Sequence, residues 1–266
     1  MARDVDTGTD TVRSWVDDGV AVIELNRPER RNALHADMFD AIPQLIETFD
    51  IDDEVGVYLL TAAGSAFCAG GDVRDGGRRP TDSEEGRLLR MAAMVLMLHE
   101  SPKISIGALP GPAVGAGIGL ALCTDLRIAA ASASFIPGWG RLAFSGDFGG
   151  PYFLTRLLGP VRALEVLVDG STIDAQQALD SGLVNRVVPD AALREDALAW
   201  AKRIASGPRT AHRFMKENVR DAQDRTLRQA LPDESDRMTR SGRTEEHRQA
   251  VRRWMAEAKA KAKRGG

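Results

Sequence analysis

Gly64-Ser65-Ala66-Phe67-Cys68-Ala69-Gly70-Gly71-Asp72 decides the fold of this chain. It follows Val55 to Leu60, an apolar run of strand length, so a buried strand ends in a glycine-rich turn. A second segment repeats the arrangement. Ile104 to Leu109 is another apolar strand, and Gly111-Pro112-Ala113-Val114-Gly115-Ala116-Gly117 leads from it into a short buried helix, Ile118 to Cys123. Backbone N–H groups at a helix start have no intrahelical partner and point outward. Glycine and alanine let a ligand approach them closely. One such turn is explained by packing alone. Two of them, about 45 residues apart and both after apolar strands, can aim two N–H donors at one oxygen and stabilise an enolate or oxyanion.

Working outward, Val20 to Leu25 reads as a strand that Asn26-Arg27-Pro28 ends. Residues 35–49 place Met38, Ile42, Leu45, Ile46 and Phe49 at helical spacing, with Pro43 expected to kink or restart the helix. Residues 74–87 are polar and turn-rich, which predicts a mobile loop before a Leu- and Met-rich helix at 88–99. Leu126 to Ala130 is a further strand, and 149–158, 161–168 and 175–181 are helical by pattern. From 192 onward the chain is helical, with breaks expected near Gly207-Pro208 and at Pro232. Recurring strand-turn-helix units predict an α/β layered core over 12–200, followed by a helical C-terminal region over 201–266. Residues 1–11 are polar and acidic and are expected to form a flexible tail.

Bulk properties narrow the function classes. The 266 residues are 43% hydrophobic and 27% charged, ordinary values for a globular protein, and the net charge is −3. That balance does not suggest a nucleic-acid binder. Residues 201–266 carry 18 Lys+Arg against 9 Asp+Glu, a local balance of +9, while the remainder stands at −12. The basic region is read as solvated helix faces or as a surface for phosphates or an acidic partner. No apolar run reaches the roughly 18 residues a membrane span needs, and no charged-then-apolar leader is seen, so a cytoplasmic location is expected. Cys68 and Cys123 sit among small or apolar residues and read as buried thiols. His35, His99, His212 and His247 are scattered without metal-ligand spacing, so no metal is expected. Gly115, Gly117 and Gly119 lack the Gly-x-Gly-x-x-Gly spacing of a dinucleotide fold, and no Gly-x-Ser-x-Gly marks a serine hydrolase.

Five segments together carry a family resemblance. Asn26-Arg27-Pro28-Glu29-Arg30-Arg31-Asn32-Ala33-Leu34 resembles the signature turn of the crotonase (enoyl-CoA hydratase/isomerase) superfamily. Gly64 to Asp72 resembles its first oxyanion segment, and Gly111 to Gly117, continuing to Thr124-Asp125-Leu126-Arg127-Ile128-Ala129, resembles the second. Gly146-Asp147-Phe148-Gly149-Gly150 and Gly182-Leu183-Val184-Asn185-Arg186-Val187-Val188-Pro189 fit in order and spacing. The match covers roughly residues 12–260. The resemblance implies an α/β spiral of β-β-α units, with C-terminal helices that pack in a homotrimer or dimer of trimers. It implies an acyl-CoA thioester as ligand, with no metal and no cofactor beyond the coenzyme A of the substrate. The oxyanion donors would be the N–H groups of Gly71 and Ala116. Arg30, Arg31, Ala69, Gly70 and Asp72 would hold the nucleotide and pantetheine.

The sequence departs from a hydratase at the residues that move protons. The best-known relatives add water with two glutamates, one for the water and one for the α-proton. Those positions fall on Gly119 and Trp139, and neither can transfer a proton. Glu165 lies too far along the chain and reads as surface. Asp147 remains, either as an N-cap of the following helix or as a base. In some branches an aspartate at this position shuttles a proton in isomerisation. In a 4-chlorobenzoyl-CoA dehalogenase it is the nucleophile, and a tryptophan stands where Trp139 stands. The histidine base of that dehalogenase aligns nearest Ala92, with His99 seven residues away. An apolar pocket of Trp139, Phe144 and Phe148 is expected to raise the pKa of Asp147. The readings are an isomerase or related enolate enzyme, a variant hydratase, a dehalogenase-like enzyme, and a CoA-thioester-binding protein without catalysis.

Overall fold

The computed structural model of the chain describes residues 2–72 and 84–264. The chain divides into two compact units, residues 1–204 and 205–266. The first unit opens with three strands, β1 (Arg3–Val5), β2 (Val12–Asp17) and β3 (Val20–Leu25). Asp18 and Gly19, with φ of 48° and 80°, form the tight turn between β2 and β3. Left-handed residues there match the twist of an antiparallel hairpin. Residues 1–11 were expected to be a flexible tail. Instead Arg3–Val5 pairs antiparallel with β2, Arg3 opposite Val16 and Val5 opposite Ser14. The free edge of β2 offers ladder partners, and a strand with exposed polar side chains suits an edge.

Helix α1 (Met38–Asp50) follows, then β4 (Val57–Ala62), α2 (Glu84–Glu100), β5 (Ile104–Leu109), β6 (Ala113–Val114), α3 (Ala116–Leu122) and β7 (Leu126–Ala130). Next come β8 (Ser134–Ile136), α4 (Gly150–Leu158), α5 (Pro160–Asp169), β9 (Ile173–Asp174), α6 (Ala175–Asp180), β10 (Arg186–Val188) and α7 (Leu193–Ala205). The main sheet has the order β1-β2-β3-β4-β5-β7-β10, parallel from β3 onward. A small second sheet joins β6, β8 and β9. Every residue of β3 is buried, as a parallel strand covered on both faces requires. Helix α1 turns Met38, Ile42, Leu45, Ile46 and Phe49 into the core. Helix α2 starts at Glu84, so 84–87 are helical rather than loop, and the rest of the expected mobile loop lies outside the described residues.

The second unit holds α8 (Arg209–Asp224), α9 (Leu227–Gly242) and α10 (Glu245–Arg264). Arg237 ties α9 to α8 through Glu217 at 3.0 Å and Asp221 at 2.8 Å. Glu246 on α10 accepts from the Arg209 and Thr210 N–H groups at the start of α8. The break expected at Pro232 does not occur. Pro43 and Pro232 are each the sixth residue of a continuous helix, and each forgoes one backbone bond there. The chain breaks instead at Arg225-Thr226, where Thr226 and Gln229 form a capping box for α9.

Candidate active site

The two glycine turns lie against each other, backbone to backbone. Phe67 and Cys68 donate to the Pro112 carbonyl at 3.1 and 3.2 Å, and Val114 donates to the Cys68 carbonyl at 2.8 Å. A Cβ on Gly117 would sit 2.5 Å from the Cys68 oxygen, so only glycine permits this approach. A Cβ built on Gly70 would lie 3.7 Å from the Ala116 nitrogen, which measures how closely the turns converge. Among the described residues, neither Gly71 N–H nor Ala116 N–H donates to a protein acceptor. Ala116 is the first residue of α3, where such a donor is expected to be unpaired. Space in front of Gly71 is open, since a Cβ there would meet nothing within 4 Å.

A third segment, residues 27–34, braces the first turn. Asn32 is fully buried. Its Nδ2 donates to the carbonyls of Ala63 and Ala66, both at 2.8 Å, and its Oδ1 accepts from Arg27 N–H. Ala69 donates to the Arg31 carbonyl, Leu34 donates to the Gly70 carbonyl, and Asp72 N–H donates to the Leu34 carbonyl. Arg31 and Asn32 take left-handed φ of 50° and 54° to make this possible. The side chains of Arg30 and Arg31 are exposed. The Asp72 carboxylate pairs with Arg27 Nη1 at 3.1 Å. Sequence reasoning assigned Arg27 and Asn32 no role. Their place inside the signature turn was the available signal.

Asp147 and Trp139 meet across a loop. Trp139 Nε1 donates to Asp147 Oδ1 at 2.7 Å. The cap of α4 is Gly149, with no side-chain cap bond, so Asp147 is not the helix cap. The indole is buried, and a Cβ on Gly150 would lie 2.3 Å from its Cη2. Its nitrogen lies 3.9 Å from the Cβ position of Gly115, which puts the second glycine turn, the indole and the carboxylate in one place. Burial pushes the Asp147 carboxyl above its ordinary range, while the indole N–H pulls it back down. The expected pocket is only partly formed. Trp139 and Phe148 are buried, but Phe144 is 65% exposed. The loop from Gly140 to Leu142 is a 3-10 turn that ends with Ala143 left-handed, and this carries Phe144 outward.

Gly119 carries a steric message. A Cβ there would be 2.0 Å from the Phe148 carbonyl oxygen, so no side chain fits while Phe148 keeps its left-handed backbone, φ 50°. Phe148 is held by ring contact with Phe39 at 6.1 Å. His99 on α2 packs edge-on against Phe153 at 5.2 Å. Glu165 is exposed on α5. Cys68 and Cys123 are buried and not joined in a disulfide, and burial pushes the Cys68 thiol up to about 12, which keeps it protonated. Among the described residues no group of three or more His, Cys, Asp or Glu side chains is arranged to hold a metal ion.

Two backbone donors on adjoining turns and a half-buried carboxylate near the second turn are a candidate arrangement for polarising a carbonyl and moving a proton next to it. The family model for enoyl-CoA hydratase/isomerase matches residues 16–263. The chain belongs to the enoyl-CoA hydratase/isomerase family and is an enzyme of that family. It is 33% identical to the 1,2-epoxyphenylacetyl-CoA isomerase of Escherichia coli, over 92% of this chain and 95% of that protein. It is 30% identical to a 4-chlorobenzoyl coenzyme A dehalogenase of an Arthrobacter species, over 79% of this chain and 78% of that one. The crystal structure of an enoyl-CoA hydratase from Bacillus anthracis superposes with a TM-score of 0.87 at 30% identity, covering 93% of this chain and 96% of that one. The fold is thus the crotonase-type α/β fold the resemblance implied, with its C-terminal helices. Among the described residues no helix is long and apolar enough to cross a membrane.

Proposed function

We propose that the protein isomerises acyl-CoA thioesters through an enolate, with Asp147 as the base. In this reading the thioester oxygen accepts from Gly71 N–H and Ala116 N–H. The Asp147 carboxylate takes the α-proton of a 3-enoyl-CoA, and the C–H electron pair passes into a dienolate held by the two donors. Asp147 then returns the proton to the γ-carbon, and the dienolate collapses to the 2-enoyl thioester. One base suffices, and Asp147 is the carboxylate assigned to that role. The observation that carries the reading is the Trp139–Asp147 hydrogen bond, because it aims the carboxylate beside the second glycine turn rather than at the helix start. Arg30, Arg31, Ala69, Gly70 and Asp72 are assigned to the nucleotide and pantetheine, and Trp139 and Phe144 to the acyl end. The active form is assigned as a homotrimer or dimer of trimers.

Hydration is disfavoured because the Phe148 carbonyl fills the space beside Gly119. The test is incubation with 2-enoyl-, 3-enoyl- and aryl-CoAs in deuterated water, with products identified by mass and absorbance. The expected outcome is a double-bond shift, with deuterium at the γ-carbon only to the extent that the Asp147 proton exchanges with solvent before it is returned. Asp147→Asn is expected to lower turnover by at least about 100-fold while thioester binding stays near parental. Equal turnover in variant and parent would remove the Asp147 assignment.

A second reading rests on the same hydrogen bond. The indole could steady Asp147 as a nucleophile toward a haloaryl-CoA, as the name of the Arthrobacter relative suggests. The aryl ester formed would need a base to activate water, and Ala92 occupies the place expected of one. Chloride release from 4-chlorobenzoyl-CoA tests it directly.

A further inference from the structure

We propose that Arg27 is a positioning residue that sets the Gly71 donor by holding Asp72, an inference that rests on the assignment of Gly71 N–H to the thioester oxygen. Gly70 and Gly71 are consecutive glycines, and Gly70 has φ 88°. Such a pair has little torsional stiffness of its own. The Gly71 peptide hangs from Leu34 by two bonds, Leu34 N–H to the Gly70 oxygen and Asp72 N–H to the Leu34 oxygen, at 2.8 and 3.2 Å. Those bonds hold its edges by main chain alone. Asp72, the next residue, limits the torsional freedom of the glycine pair when its carboxylate is tied to Arg27 at 3.1 Å.

The anchor is itself immobile. Arg27 Nη1 also donates to the Ala33 carbonyl at 2.8 Å, and Arg27 N–H donates to buried Asn32, which in turn grips Ala63 and Ala66. The strap therefore starts at the entry to the first turn and closes one residue beyond its donor. The Arg27 and Asp72 side chains are 15% and 14% exposed, so water screens the pair less than it would a surface ion pair. The consequence is kinetic. A donor must lie about 2.7–3.1 Å from the developing oxyanion, and a misplacement near 1 Å costs on the order of 100-fold. Loss of Arg27 from the strap should weaken carbonyl polarisation and spare thioester affinity. The exposed Arg30 and Arg31 should behave the other way.

The experiment compares Arg27→Gln, Asp72→Ala, Asp72→Asn, the Arg27→Gln/Asp72→Ala pair and Gly71→Pro with the parent. Three quantities are read: kcat and KM on the 3-enoyl-CoA that the parent turns over, thermal midpoint, and the absorbance maximum of bound cinnamoyl-CoA. The conjugated carbonyl of that probe shifts to longer wavelength when hydrogen bonds polarise it. Arg27→Gln is expected to lower kcat roughly 10- to 100-fold, to change KM less than about threefold, and to lose most of the red shift, and Asp72→Ala to lower kcat and the red shift to the same extent. The double variant should be no worse than either single one, and Asp72→Asn, which keeps an acceptor for Arg27, should be intermediate. A full red shift and parental kcat, with only a lower thermal midpoint, would overturn the proposal and leave a structural ion pair. If Arg27→Gln does not fold, Asp72→Asn decides between the same two outcomes. Failure of the underlying reading is separate: the parent would show no red shift, or Gly71→Pro would keep it.

Discussion

Asp147 stands under two opposed influences, and on its proposed role as base their balance sets the pH behaviour of the site. Burial disfavours its charge and raises the carboxyl, while the Trp139 N–H favours the charge and lowers it, with burial the larger effect. A base must be ionised to act, so activity is present above this raised pKa and is lost as pH falls through it. The acidic limb of kcat/KM is therefore expected at a higher pH than an ordinary carboxylate would give. Trp139→Phe removes the N–H, so the limb should move further up in pH. A downward move in a pH–rate profile would contradict the assignment. Gly119 permits a second test at this scale. Gly119→Glu restores the type of residue a hydratase uses, but its Cβ would collide with the Phe148 carbonyl. The variant is expected to melt at a lower temperature and to show no water addition to 2-enoyl-CoAs. Hydration by Gly119→Glu would mean the Phe148 loop yields easily.

Three strands and a short helix carry the glycine motifs. Strand β4 feeds the first turn, β5 and β6 feed the second, and α3 begins at Ala116. Because the turns share backbone hydrogen bonds, main chain brings the two proposed donors together, and the Arg27–Asp72 pair is proposed to steady the first of them. Gly71→Pro deletes one N–H and is expected to lower kcat by about 100- to 1,000-fold in steady-state assays. Unchanged kinetics would move the hole elsewhere. At this scale the sequence was informative where patterns are local. The strands at 20–25, 104–109 and 126–130 were legible from apolar runs, and the α3 turn from its glycines. Strand β10 and the two-residue strands β6 and β9 were not, because such short pieces exist only where a neighbouring strand pairs with them.

Each unit of the molecule presents apolar side chains that its own packing leaves in water. On α5, Val161, Leu164 and Val168 form an exposed stripe, and on α9, Leu227, Leu231 and Met238 form another. Stripes of this kind on a chain with a complete core of its own point to association. Light scattering or sedimentation at micromolar concentration is expected to return the mass of three or six chains. A monomer across that range would remove the trimer assignment.

The sequence by itself determined the family, the α/β core, the helical C-terminal region and the pair of turns. Glycine-rich turns after apolar strands are local patterns, and their order along the chain is specific. By resemblance it also pointed to what is missing, since Gly119 and Trp139 fall where the two glutamates of the best-known relatives would act. Only the tertiary structure showed that the Asp147 carboxylate accepts from Trp139 in place of capping α4, because that depends on an indole eight residues away folding back to meet it. Only the tertiary structure found the Arg27–Asp72 strap, whose partners are 45 residues apart. It also turned Phe144 outward and paired residues 3–5 with β2. The physical reason is common to all four. Each is settled by which distant groups the folded backbone brings within hydrogen-bonding or packing range, and residue types in a row do not encode that distance.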